Sequence, residues 1–329
     1  MLFRSSDTAI SEEWAAGSRN FCNKLWNAVR FALLNGAHVP VSAPVPASTS
    51  SPASPVDPTN HTDYSVPDRW ILSRLSAVIA ETDQLFEAFE FGKVCDVLYH
   101  FAWDEVCDWY LELAKVPLTS EDPQAAETTR QVLGFVLDQL LRLLHPVMPF
   151  VTDELWTALT GEESVMVAPW PQFSYTDQAA EAEISSLMRL VTEVRRFRSD
   201  QGLRPGQRVA ARLVGIEATP LAGHEEQIRS LLRLTAPADG FAASASLAAE
   251  DITVELDVAG AVDVAAERRR LDKDLAAARS EAEQAERKLG NADFTAKAPA
   301  AVVDKTRERL AAAQSDIARL EQRLAAIVG

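Results

Sequence analysis

Arginine is the residue type whose grouping in this chain suggests chemistry. The span from Arg189 to Arg208 holds Arg189, Arg195, Arg196, Arg198, Arg204 and Arg208 against only Glu193 and Asp200. Guanidinium groups meet phosphate oxygens through two parallel hydrogen bonds, so such a cluster suits contact with a polyanion backbone. Other reactive groups are dispersed. The five histidines (His38, His61, His100, His145, His224) form neither H-E-x-x-H nor H-x-x-x-H. The three cysteines (Cys22, Cys95, Cys107) have no C-x-x-C spacing, and Cys95 and Cys107 are expected as buried thiols on apolar helix faces. Asp104, Glu105 and Asp108 read as a solvated helix face rather than a carboxylate pair. No catalytic residue and no metal-ligand set is expected.

Glycine sharpens the exclusions. Among 329 residues the 13 glycines are scattered, with Gly202 and Gly206 the closest pair, so neither G-x-G-x-x-G nor G-x-x-x-x-G-K-[ST] can form. A nucleotide-cradling loop is therefore not expected. The 47% apolar and 24% charged composition is that of a globular chain. Its net charge of −16 argues against a uniformly basic nucleic-acid coat while leaving room for local patches. Odd, unpaired cysteines, the absence of a signal-like start and the absence of a long apolar run suggest a cytoplasmic protein with no membrane span.

The elements that would position these groups are mainly helical. Residues from about Ser11 to Asn35 read as an amphipathic helix, with Phe21, Cys22, Leu25, Trp26, Ala28, Val29 and Ala32 on one arc and Arg19, Asn23, Asn27 and Arg30 opposite. Trp26 is expected in the core. Residues 40–66, rich in Pro and Ser, read as a flexible insertion. Helices are expected near Pro67–Phe89, from Gly92 to an end at Pro117, and over Pro123–Leu144, with a short one capped by Thr152. From Ser164 the pattern suggests a small α/β module: helices at Ala179–Ser199 and Glu225–Leu234, strands at Arg208–Val214 and Ile252–Val258. Heptad spacing then runs Leu271, Leu275, Ala278, Ala282, Ala285, Leu289 and again Val303, Thr306, Leu310, Ala313, Ile317, Leu320, Leu324, Ile327. The pattern predicts a coiled-coil hairpin. Its 67 residues carry 13 basic and 12 acidic side chains, so the acidity belongs to the preceding 262 residues. The fold expected is an antiparallel helical bundle over 1–163, a small α/β linker module over 164–262 and a coiled-coil arm over 263–329.

Four segments carry a family likeness. Arg19-Asn20-Phe21-Cys22-Asn23-Lys24-Leu25-Trp26-Asn27-Ala28, Asp68-Arg69-Trp70-Ile71-Leu72-Ser73-Arg74-Leu75, Phe101-Ala102-Trp103-Asp104-Glu105-Val106-Cys107-Asp108-Trp109-Tyr110-Leu111-Glu112 and Leu144-His145-Pro146-Val147-Met148-Pro149-Phe150 with the Val151–Trp156 continuation are similar to the helical anticodon-binding domain of class I valyl-tRNA synthetases. Asp263–Leu271, with the loop at Asn291, Phe294 and Lys297-Ala298-Pro299, resembles that family's C-terminal coiled coil. The heptad hairpin and the lack of a cysteine-rich tail favour the valyl branch over its isoleucyl and leucyl relatives. The Pro/Ser insertion departs from the family pattern, and the family's H-I-G-H and K-M-S-K-S signatures and editing domain do not occur here.

The resemblance implies a C-terminal, tRNA-recognising portion of an enzyme that joins valine to its tRNA with ATP and magnesium. This chain alone would be inactive and hold no cofactor, with tRNA(Val) and the catalytic portion of the synthetase as partners, no membrane partner, and a monomeric state. Arg19, Asn23, Lys24, Asn27 and Arg30 would read the anticodon, Arg195, Arg196 and Arg198 would contact the tRNA backbone, and Phe294 and Lys297 at the hairpin tip would stack and pair with phosphate. Unpaired anticodon bases expose edges and faces for such contacts. The alternative from the residues alone is a coiled-coil adaptor whose heptads pair between chains.

Overall fold

The structure is a computed structural model that describes residues 12–39, 64–258, 264–290 and 300–328. The insertion expected at 40–66 lies outside the described residues up to position 63. The chain is mainly helical with one small sheet, in two units: Met1–Met188 with Gly223–Gln227, and Arg189–Ala222 with Ile228–Gly329.

In the first unit, α1 (Glu12–Leu34) buries Phe21, Leu25, Ala28, Val29 and Ala32, a stripe at spacings of three and four. Trp26 does not join it and is 46% exposed. At 100° per residue it lies about 115° from the centre of that stripe, so the arc expected to be buried was too broad. Helix α2 (Val66–Glu87) opens on Ser65, whose hydroxyl caps the Asp68 amide, with Pro67 in its first turn.

The helix expected from Gly92 is continuous but not uniform. It runs as α3 (Phe91–His100), a π-helical stretch (Phe101–Tyr110) and α4 (Leu111–Leu118), with Pro117 inside the last turn rather than at a stop. Phe21 meets Tyr99, Lys24 meets Asp108 and Lys115 lies over Phe31, so α1 runs parallel to it. Asp68 meets Tyr110 and Arg74 meets Glu105, so α2 runs against it.

Helix α5 (Pro123–Leu144), capped by Asp122, is buried over most of its length. Its Gly134 is required, because a Cβ there would lie 2.6 Å from the His38 carbonyl oxygen. Helix α6 (Pro149–Thr160) folds back along α5, joined by Trp156 donating to Asp138 at 2.6 Å. Its start is one turn earlier than expected: Met148 occupies the cap position, and Thr152, inside the helix, donates to the Met148 carbonyl and contacts His145 Nδ1 at 2.8 Å. Val165–Val167 form a 3-10 turn.

A buried carboxylate ties three of these helices together. Buried Asp68 accepts from Ser65 at 2.6 Å, Tyr110 at 2.7 Å and Thr129 at 3.0 Å, and among the described residues no cation contributes to the shift of its carboxyl. Burial pushes its carboxyl above the ordinary carboxylate range while the three hydroxyls pull the other way, and the Tyr110 phenol is raised well above its usual value by the same burial.

In the second unit, β1 (Val209–Val214), β2 (Leu234–Thr235), β3 (Ala245–Ala249) and β4 (Ile252–Leu256) form a sheet in the order β2-β1-β4-β3, parallel only between β1 and β2. The strands β2 and β3 were not expected. The β3–β4 turn places both Glu250 and Asp251 at positive φ, 50° and 60°. Helix α7 (Gln178–Asp200) leads towards β1, and α8 (Glu225–Leu232) precedes β2. Finally α9 (Val264–Leu289) and α10 (Ala300–Val328) pack together over Leu271, Leu275 and Leu320, with Ala278, Ile317 and Leu324 against them. Leu271 and Leu275 lie with Leu320, and further along α9 Glu281 pairs with Arg309, so the partner number on α10 falls as the number on α9 rises.

Candidate nucleic-acid interface

Four of the residues expected to read bases, Arg19, Asn23, Asn27 and Arg30, are exposed on one face of α1, because they recur at helical spacing opposite the buried stripe. Among the described residues, neither Arg19 nor Arg30 makes an ion pair, so both guanidinium groups remain available to an outside acceptor. Lys24 differs. It is half-buried, with Nζ 2.6 Å from Asp108 Oδ1 and 3.7 Å from the centre of the Trp103 ring. A phosphate would have to compete with both partners.

That lysine caps an aromatic group the sequence reading did not assign. Tyr99 and Trp103, one turn apart where α3 enters the π-helical stretch, lie at 5.6 Å with 19° between their planes, and Phe21 of α1 packs against both. Tyr99 is partly exposed, so an aromatic face stands beside the polar face of α1. The Tyr–x–x–x–Trp spacing was the available signal, but on an amphipathic helix it cannot be distinguished from core. The acidic residues of this stretch are not a bare solvated face: Asp104 meets His100 at 2.7 Å, Asp108 meets Lys24, and Glu105 accepts two bonds from Arg74 at 2.7 and 3.0 Å. Cys95 is exposed, not buried, whereas burial pushes the Cys107 thiol up to about 12.

On its other flank α1 turns Trp26, Leu33 and Leu34 towards Glu154, Leu155 and Ala158 of α6, leaving a groove of about 390 Å³ with Arg30 at its edge. Trp26 is thus a surface residue beside the polar face rather than part of the core.

The arginine cluster divides by environment. Arg195 and Arg196 are exposed on α7, and Arg204 and Arg208 are exposed on the segment leading to β1. Arg189 holds Glu250 with two bonds of 2.8 and 2.9 Å, tying α7 to the β3–β4 turn. Arg198 is 5% exposed, and its Nη2 donates to the Gln207 carbonyl at 2.6 Å while Nη1 has no partner. Desolvation lowers its pKa. It lies inside the unit rather than on its surface, which corrects its placement beside Arg195 and Arg196 as a backbone contact. Phe294 and Lys297 lie outside the described residues.

The described residues contain no group of three or more His, Cys, Asp or Glu able to hold a metal ion, and no helix among them is long and apolar enough to cross a membrane.

A helical unit with exposed arginine and asparagine on its first helix is thus followed in the chain by a small sheet and a long helix pair. Residues 68–213 match the anticodon-binding domain of tRNA ligase, and residues 263–328 match the valyl tRNA synthetase tRNA binding arm. The chain is 54% identical over 319 residues to the valine–tRNA ligase of Streptomyces avermitilis and 53% identical to that of Streptomyces coelicolor, each match covering 97% of this chain and 35% of the relative. The valine–tRNA ligase of Mycobacterium tuberculosis is 48% identical over 330 residues, covering 98% and 35%. The chain belongs to the valine–tRNA ligase family and spans about a third of the length of the curated relatives it matches.

Proposed function

We propose that this chain is the part of a valine–tRNA ligase that recognises tRNA(Val). Residues 1–163 act as an antiparallel bundle that binds the anticodon, 164–262 as a linking module, and 263–329 as a coiled-coil hairpin that rests on the outer corner of the tRNA. The observation that carries this reading is the order of the two matched regions, an anticodon-binding domain followed by a valyl-type tRNA-binding arm, on a chain that keeps an open Arg/Asn face on α1.

In this reading Arg19, Asn23, Asn27 and Arg30 donate to base edges and phosphates of the anticodon loop. Tyr99 and Trp103 offer a stacking face, with Lys24 fixed beside it as a positive edge. Arg195 and Arg196 neutralise backbone phosphates, Lys297 does so at the arm's tip, and Phe294 stacks there. ATP, magnesium and valine belong to the complete ligase, and this chain by itself activates no amino acid. It acts as a monomer in the cytoplasm.

A gel-shift titration with valine tRNA and an unrelated tRNA tests the reading. The valine tRNA is expected to bind more tightly, and Arg19→Ala with Arg30→Ala to weaken that preference. Equal binding of the two tRNAs would sink the claim of selective recognition.

A further inference from the structure

One end of the small sheet gathers arginines that lie far apart in the chain. Strands β1 and β2 pair in parallel with Val209 opposite Leu234, and the Val209 amide donates to the Arg233 carbonyl at 3.1 Å, so Arg208 and Arg233 enter the sheet side by side. Arg204 heads the turn before β1: its carbonyl accepts from the Gln207 amide at 3.0 Å, and its amide donates to Gln207 Oε1 at 3.3 Å. Arg204, Arg208 and Arg233 are all exposed. Among the described residues none of the three makes an ion pair, whereas Arg189 and Arg212 of the same unit hold Glu250 and Glu255. The turn is braced from the interior by Arg198, which donates to the Gln207 carbonyl at 2.6 Å and keeps Nη1 without a partner.

Arg233 adds an independent observation. It follows the last residue of α8 in the left-handed conformation, φ 53°, with its amide donating to the Ser230 carbonyl at 3.3 Å. Glycine or asparagine is usual at such a helix end, because a larger side chain there is strained. The guanidinium offsets none of that strain through an ion pair among the described residues. Strain kept without an internal return marks positions that serve an outside contact.

We propose that this end of the sheet binds the phosphodiester backbone of tRNA through Arg204, Arg208 and Arg233. The inference rests on the tRNA-recognition reading and extends it to Arg233, which lies outside both matched regions. Guanidinium forks take phosphate oxygens through paired hydrogen bonds, and unpaired ones on adjoining backbone segments can serve neighbouring phosphates of one strand. Protein interfaces carry an apolar centre, and no large apolar side chain is exposed over residues 198–213 or 228–240. That favours a polyanion over an acidic protein. Phosphate contacts carry no base information, so this site adds affinity for any tRNA and leaves the choice among tRNAs to α1.

The test titrates the full chain with valine tRNA and with an unrelated tRNA at salt concentrations from about 50 to 300 mM. The triple variant Arg204→Gln, Arg208→Gln and Arg233→Gln is expected to bind both tRNAs about tenfold more weakly or worse, and to lower the magnitude of the salt slope by about 2–3. The ratio of the two affinities stays as in the parent. Affinities and slope unchanged in the variant overturn the proposal while the selective-recognition reading stands. Equal affinities in the parent, both weakened in the variant, overturn that reading and uphold this site. A parent chain that binds neither tRNA overturns both. A changed ratio would put the arginines among the base-reading groups, and polyglutamate bound as tightly as tRNA and lost in the variant would assign the surface to an acidic protein; either result overturns the proposal. Arg233→Gly separates binding from folding. It is expected to weaken both tRNAs about threefold while Tm stays unchanged or rises by about 1–4 °C, and a fall of several degrees would show that Arg233 serves the fold and not a ligand.

Discussion

Arg195, Arg196 and Arg198 lie within four residues, yet removal of each has a different meaning. Arg198 places a guanidinium in the interior and donates to the Gln207 carbonyl, so Arg198→Ala leaves a cavity and removes that hydrogen bond. Thermal unfolding should show a loss of about 1–3 kcal/mol, whereas Arg196→Ala should stay within about 0.5 kcal/mol and act on tRNA affinity instead. An unchanged Tm for Arg198→Ala would contradict the interior role. The same contrast separates two tryptophans: Trp156→Ala should cost about 3–5 kcal/mol, and the half-exposed Trp26 under about 1 kcal/mol. The heptad and stripe spacings showed which side of α1 packs, but not how wide the packed arc is. Counting arginines showed a basic segment, but burial of one member depends on β1 and the loop before it, which lie beyond helical periodicity.

At the scale of elements, the legible parts were those with long, regular patterns. The 3.6-residue stripes placed α1, α2, α5 and α7 to within a few residues, and the heptads placed α9 and α10. The β3–β4 hairpin was missed because its turn is Glu250–Asp251, both at positive φ, where the usual signal is Asn–Gly. Arg189, bound to Glu250 from α7, supplies support that no local pattern reveals. The clip at Asp68 was equally hidden, since its partners Tyr110 and Thr129 are 42 and 61 residues away. It has a testable pH signature. Burial raises the native carboxyl above its unfolded value near ~4, so its contribution to stability is complete below that pH and is lost as pH rises through the native value. Tyr110→Phe removes a donor to the charged form and raises the native value further. Urea unfolding across pH 4–7 should show a small gap between variant and parent at pH 4 that widens by roughly 1 kcal/mol at neutrality; a constant gap would mean that Asp68 does not titrate differently in the two proteins. For the long helix pair, Leu320→Ala should cost about 2–4 kcal/mol by loss of helical circular dichroism, and Glu321→Lys, which breaks only an exposed pair with Arg279, under about 1 kcal/mol.

On the scale of the whole molecule, a net charge of −16 and tRNA recognition are compatible only if the cationic contacts are few and local. The acidic residues belong mainly to the first 262 positions, and many of those near α1 are already paired: Asp108 with Lys24, Glu105 with Arg74, Asp104 with His100. Among the described residues, the exposed arginines of α1, of α7 and of the following loop offer local cationic contacts of that kind. Each phosphate neutralised at such a site releases counterions, so the logarithm of affinity should fall linearly with the logarithm of salt, with a slope of roughly −0.7 to −0.9 per contact. Titrations between 50 and 300 mM salt (about the range over which such slopes are resolved) should therefore give a modest slope of a few units rather than the steep one of a uniformly basic protein. Arg195→Ala and Arg196→Ala should each reduce its magnitude by about 1, and Asn27→Ala should weaken binding without changing it, because a neutral amide releases no ions. A slope unaltered by both arginine changes would move the backbone contact away from α7 and onto other cationic groups of the chain.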